Sequence, residues 1–158
     1  MEQAVATYAT RAGEKLRSAN QIAGHLSLFI HTNRFNNDPK YSASGSVRIA
    51  EPTNDSRDLI KAALKILKSI WRNGYRYSKA GLILTDLMPS STRQLDLLIH
   101  RPRNEDARLM SVIDHLNQKM GRGTIFPAAA GTRQVWRLRT DYKSPHYTTR
   151  WEDLPRAV

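Results

Sequence analysis

His25 and His31, followed by Asp55 and Asp58, are the residue types from which a metal-dependent nuclease would be built. Imidazole and carboxylate hold divalent cations, and a held cation activates water. The spacing argues against this chemistry. The two histidines fall six residues apart in a strand-like stretch, about 20 Å by strand rise, too far to share one ion. No HExxH, DxDxD-type or CxxC run occurs, and the absence of cysteine excludes thiolate catalysis and disulfides. Gly121-Arg122-Gly123 lacks the Lys-Ser/Thr pair and the preceding strand of a phosphate loop, so it reads as a turn. No catalytic residue, no metal site and no cofactor are expected from these residues.

A second kind of chemistry is charge recognition. The 158 residues carry 25 Lys+Arg against 14 Asp+Glu, a formal charge of +11. Such a chain is drawn to polyanions, either nucleic acid or an acidic membrane surface. The excess is spread over the chain: residues 1–88 hold 13 basic and 7 acidic side chains, and residues 89–158 hold 12 and 7. Neither part is a polyelectrolyte arm. No apolar run is long enough to span a bilayer, and the first residues lack the basic and apolar regions of a secretory signal. A bacterial-type cytoplasm or a nucleus is the expected compartment.

The elements that must position these charges follow from periodicity. Val5, Tyr8, Ala9, Ala12 and Leu16 share one face of a helix over residues 2–18. Residues 22–33 and 42–50 alternate as strands with one buried face. Asp55 caps a second helix, with a buried stripe of Ile60, Ala63, Leu64, Leu67 and Trp71 and with Gly74 as its C-terminal cap. Residues 78–87 carry apolar side chains on both faces, which predicts a more central strand. A linker over residues 89–104 leads to a helix over 105–119, its inner face Leu109, Val112, Ile113, Leu116 and Met120. Short strands at 124–128 and 134–139 would form a ribbon. The fold class is therefore α+β, an antiparallel sheet with two helices on one face. A small helix-plus-ribbon unit of residues 105–158 follows, too small to bury much alone. Within it, Trp136 and Trp151 read as packing residues or anchors for a partner.

With the helices on the apolar face, the other sheet face is free. It carries His25, Ser27, His31, Ser42, Ser44, Ser46 and Arg48, with Arg34, Lys40, Arg76 and Lys79 at strand ends. Small hydroxyls and amides admit phosphates closely while Arg and Lys supply charge. The residues by themselves fit either a duplex-binding face or an ordinary solvated one. The stripe Arg57, Lys61, Lys65, Lys68 and Arg72 lies on the opposite side of the second helix and reads as a solvated face. In the linker, Gln94-Leu95-Asp96-Leu97-Leu98 places three leucines in five residues, where no core calls for them. They either dock back onto the chain or plug into a partner.

Longer stretches carry a family resemblance. Tyr8-Ala9-Thr10-Arg11-Ala12 with Glu14-Lys15-Leu16-Arg17, Pro52-Thr53-Asn54-Asp55-Ser56-Arg57-Asp58, and Tyr77-Ser78-Lys79-Ala80-Gly81 resemble the C-terminal part of the UmuC-type subunit of bacterial DNA polymerase V. So do Leu116-Asn117, Gly121-Arg122-Gly123-Thr124 and Ser144-Pro145-His146-Tyr147-Thr148-Thr149-Arg150, in register from about Val5 to Pro155. UmuC is a Y-family translesion polymerase of the SOS response.

The resemblance implies that residues 1–88 are most of a little-finger domain, which lays its sheet along duplex DNA and contacts mainly backbone. Arg34, Lys40, Ser44, Ser46, Arg48, Arg76 and Lys79 become the DNA-contact candidates. The Mg2+-binding palm would lie before this chain, so the chain itself is expected not to polymerise. The family's little finger begins with a strand that is missing here, which predicts an open sheet edge able to self-pair. Residues 94–98 resemble the pentapeptide by which bacterial polymerases engage the sliding clamp. Gln94 would hydrogen-bond the clamp, Leu95 would add apolar contact, Asp96 would stay at the rim, and Leu97 and Leu98 would fill a pocket. The family often has Phe at the last place, so Leu98 costs about 1 kcal/mol of docking. Residues 105–158 would meet accessory proteins, by resemblance UmuD′ and RecA, and the compartment would be cytoplasmic. The rival readings are an RNA-binding α/β module, which calls for aromatics on the open face where only Phe29 stands, a nuclease, and a protein–protein adaptor.

Overall fold

The computed structural model describes residues 1–92, 103–132, 136, 142 and 144–154. In chain order come α1 (Glu2–Ser18), β1 (Gln21–Thr32), β2 (Ser42–Thr53), α2 (Ser56–Ile70), β3 (Tyr77–Pro89) and α3 (Arg103–Met120), with one-turn 3₁₀ segments at Ser90–Thr92, Ala128–Ala130 and Trp151–Asp153. The expected α+β class holds: an antiparallel sheet with α1 and α2 against one face.

The sheet order is β2-β1-β3. β1 is central because its period-two pattern buries Ile22, Leu26, Leu28 and Ile30 completely. Across it the pairs Leu26↔Val47 and Leu26↔Leu84, Leu28↔Gly45 and Leu28↔Leu82, and Ile30↔Ala43 and Ile30↔Ala80 make the inner face. Gly45 has no side chain there because Ile66 and Ile70 of α2 press on it; an added Cβ would stand 2.8 Å from Ile66 Cγ2. Val5, Ala9 and Leu16 from α1 and Leu59, Ile60, Ala63, Ile66 and Leu67 from α2 close the core. Each large aliphatic there contributes at most about 1.5–3 kcal/mol of transfer free energy.

Several expectations need correction. β3 is an edge strand rather than a central one, and its outward Ile83 and Leu87 stay about half exposed. The buried stripe of α2 includes Leu59 and Ile66, whereas Leu64 is only partly buried and Trp71 is 40 % exposed. Gly74 does not cap α2; the helix ends at Ile70, Trp71 is already extended, and Gly74 supplies a φ of +87° to the following turn. Trp71 instead packs on Tyr77 at 4.4 Å between centroids, and Tyr77 meets Tyr41 and Tyr75. Tyr41 and Tyr75 also pack on each other, which closes this aromatic cluster.

α3 packs with a different face from the one its apolar residues suggested. Leu109, Val112 and Met120 point outward, Val112 with 55 % of its surface exposed, while Met110 and Asn117 are buried. Two carboxylates on the packed side meet the first unit. Asp114 is held by Arg17 of α1 and Asp106 by Arg57 of α2. Ile113 and Leu116 of the expected inner face are partly buried. Asn117 then holds the next turn, donating to Ile125 O and accepting from Ile125 N, both at 2.9 Å. Residues 124–128 form no strand, and of residues 134–139 only Trp136 lies within the described part, edge-on to Tyr8 at 5.8 Å. Trp151 is 88 % exposed.

Candidate nucleic-acid interface

The face of the sheet away from α1 and α2 is built in four cross-strand rows centred on β1. They read Arg48–His25–Thr85, Ser46–Ser27–Ile83, Ser44–Phe29–Gly81 and Ser42–His31–Lys79, from strand β2 through β1 to β3. Ser42, Ser44, Ser46 and Arg48 are exposed on the β2 side and Lys79 on the β3 side. No carboxylate stands in any of the four rows. A cation therefore closes each end of the array, with the hydroxyls of Ser27, Ser44 and Ser46 between, beside Phe29, Ile83 and Gly81.

Two contacts keep this face low. His25 Nδ1 lies 3.2 Å from Thr85 Oγ1, which ties the ring sideways to β3. Phe29 lies across Gly81: a Cβ built on Gly81 would meet the Phe29 ring at 2.2 Å. The ring also lies parallel to that of His31, 6.3 Å between centroids and 9° between planes. Phe29 is thus laid on the sheet. A ring laid on a sheet still offers a face to a base, so Phe29 alone does not separate the RNA-module reading from the duplex one.

The remaining candidates cluster at the end of the sheet next to the Ser42–His31–Lys79 row. Arg34 is exposed in the loop from β1 to β2. Arg76, 86 % exposed at its side chain, precedes β3 and pairs with Asp38 at 3.5 Å. Lys40 is exposed in the same loop as Arg34 and also holds that loop together. Its ammonium donates to Asn33 O at 3.0 Å, to Asn36 Oδ1 at 2.8 Å and to Asn36 O, so it braces the loop. The stripe on α2 also divides. Lys61, Lys65, Lys68 and Arg72 are exposed on the side away from the four rows, whereas Arg57 is a clasp between Asp55 and Asp106. Hydrogen bonds to those two carboxylates hold the Arg57 guanidinium well above its ordinary pKa. Thr85, Ile83 and the Arg17–Asp114 pair were not anticipated; carrying the two-residue alternation through β3 places the first two, whereas nothing local marks the third. Residues 94–98 lie outside the described residues.

Among the described residues no cluster of His, Asp and Glu is placed to hold a metal ion, and no helix is long and apolar enough to cross a membrane.

The sequence comparisons place this chain in a family. Residues 1–97 match the impB/mucB/samB family C-terminal domain, and residues 107–157 match a domain of unknown function, DUF4113. The chain belongs to the impB/mucB/samB family, as a UmuC-type protein. It is 47 % identical over 159 aligned positions to Protein UmuC of Salmonella typhimurium, covering 99 % of this chain and 38 % of that protein. Protein ImpB of Salmonella typhimurium is 42 % identical over 99 % of this chain and 37 % of its own length, and Protein MucB of Escherichia coli is 36 % identical over 100 % and 37 %. The chain thus spans a little over a third of the relatives it matches.

Proposed function

We propose that this chain is the non-catalytic DNA-gripping and clamp-tethering part of an error-prone translesion DNA polymerase. The sheet's open face holds duplex DNA without reading its sequence, and residues 94–98 dock on the sliding clamp. The observation that carries the first half is the four-row face: Ser27, Ser44 and Ser46 beside Phe29, Ile83 and Gly81 in the middle, Arg48 and Lys79 at diagonal ends, and no carboxylate in any row. A sugar–phosphate backbone needs close approach and positive charge, and this surface offers both while presenting few groups long enough to probe base edges.

The second half rests on the residue types Gln94, Leu95, Asp96, Leu97 and Leu98 and on their place between the family domain's sheet and α3. A short peptide of modest affinity suffices when DNA already holds the chain, because tethering raises the effective concentration of the clamp. Residues 1–88 act as the DNA-binding unit, 89–104 as the linker and 105–158 as an accessory region for further protein partners, of which UmuD′ and RecA are the candidates. Mg2+-dependent nucleotide transfer belongs to the parent protein's palm. The deciding experiment is twofold. Primer-template affinity is measured against salt and sequence, and clamp capture is measured with Gln94, Leu97 and Leu98 changed to Ala. Sequence-independent, salt-steep DNA binding with clamp capture lost only in the triple variant supports both halves. Absent DNA binding removes the first, and retained clamp capture removes the second.

A further inference from the structure

The loop from β1 to β2 carries Phe35 out into solvent, 97 % exposed. A single apolar side chain on a surface is ordinary. This one is unusual in its support. Phe35 N donates to Asn33 Oδ1 at 3.0 Å. The Lys40 ammonium spends its donors on Asn33 O and on both oxygens of Asn36, beneath the ring's own turn. Asn36 Nδ2 donates to Asp38 Oδ2 at 2.6 Å, and Asp38 reaches across to Arg76 ahead of β3. The loop is braced on both sides of Phe35 and fastened to the neighbouring turn, and the braces hold the ring away from the protein.

Its place in the fold gives the ring an occupant. His31 pairs with Ser42 and Lys79, and Thr32 pairs with Tyr77, so the loop rises directly from the last row of the open face. Arg34 beside it and Arg76 across from it are exposed cations. A protein-binding anchor would sit within an apolar patch with a polar rim. The side chains nearest it in the turn are Asn33, Arg34, Asn36, Asn37 and Asp38, all polar, with Pro39 beyond them. An aromatic face among cations is instead the arrangement that stacks on a nucleobase while neighbouring phosphates are neutralised.

We infer that Phe35 is a base-stacking residue, which takes the face of an unpaired base where the gripped duplex gives way to single strand. The inference rests on the reading of the sheet as the duplex-binding face. Stacking is indifferent to base identity, so it adds affinity at a junction without adding sequence preference.

The test uses the full chain and two DNA probes, a blunt duplex and the same duplex with a single-stranded extension whose first unpaired base is 2-aminopurine. Wild type should bind the extended probe about fivefold or more tighter than the blunt one and quench the 2-aminopurine. Phe35→Ala should lower the extended-probe affinity to the blunt value, leave blunt binding unchanged and abolish the quench. Phe35→Trp should restore both. Equal affinities for wild type and Phe35→Ala on both probes, or equal losses on both, overturn the stacking role while leaving the sheet reading intact. Failure of wild type to bind either probe overturns the sheet reading and this inference together.

Discussion

Arg17 and Asp114 stand 97 residues apart in the chain and meet side by side: Arg17 Nε donates to Asp114 Oδ2 at 2.6 Å and Nη2 donates to Oδ1 at 2.8 Å. The remaining nitrogen, Nη1, donates to Asn54 O at 2.5 Å and to Ser56 Oγ at 3.1 Å. One guanidinium thereby joins the end of α1, the approach to α2 and the middle of α3. Bidentate geometry of this kind is beyond lysine.

Arg17→Ala should therefore cost about 2–3 kcal/mol, because it leaves a carboxylate and a carbonyl without their charged donor. Asp114→Asn should cost only about 1 kcal/mol, since that side chain is partly solvated. Hydrogen exchange is the check: both variants should expose the amides of α3 before those of α1 and α2. Uniform loss of protection across all three helices would show that the pair is not a local clasp.

Arg57 makes the companion clasp with Asp106, and its pKa is raised. A raised pKa means that its contribution is complete below the guanidinium's ordinary range and is lost only on titrating above it. Protection of α3 should not change between neutral pH and about pH 10 on account of Arg57. In Arg57→Lys it should hold to about pH 10 and fall above it, as the amine, also raised by the two carboxylates, loses its proton. Alkaline exchange measurements on both forms distinguish the two.

Gly81→Ala should cost about 1 kcal/mol by lifting the Phe29 ring off the sheet, and Phe29→Ala in the same chain should remove most of that penalty. Denaturant midpoints of the two single variants and the double variant give the coupling directly; additive effects would contradict the contact.

Leu98→Phe should tighten clamp capture roughly fivefold, about 1 kcal/mol from added apolar area. Surface-immobilised clamp gives the ratio. An unchanged or weaker affinity would mean that the last position does not enter an apolar pocket.

Much of this fold is legible locally. Alternation in β1 and β2 fixes which side chains share a face, and α1 spans residues 2–18 as its periodicity indicates. Asp55 caps α2 as expected, accepting from Arg57 N at 2.8 Å. The misreadings share a cause, which is that the deciding partner is distant. The apolar stripe of α3 points to Val112 as inner, yet Asp114 and Asp106 lie on the packed side against Arg17 and Arg57. Gly74 is a sound cap by residue type, but the aromatic packing of Trp71 on Tyr77 draws the chain out of the helix at Ile70. Ile83 and Leu87 suggested a central strand because composition does not tell a doubly buried strand from an edge strand with an exposed apolar face.

The most direct test of the central claim compares two sets of charge removals on one DNA. Binding of primer-template by the wild-type chain is measured over a salt series, beside Arg48→Ala, Lys79→Ala and the triple variant Lys61→Ala, Lys65→Ala, Lys68→Ala. Each outer-face variant should lower affinity and reduce the slope of log K against log salt by about 1, while the triple variant on α2 should leave both nearly unchanged. A larger loss from the α2 variant than from Arg48→Ala or Lys79→Ala would place the DNA on the other side of the molecule and contradict the account.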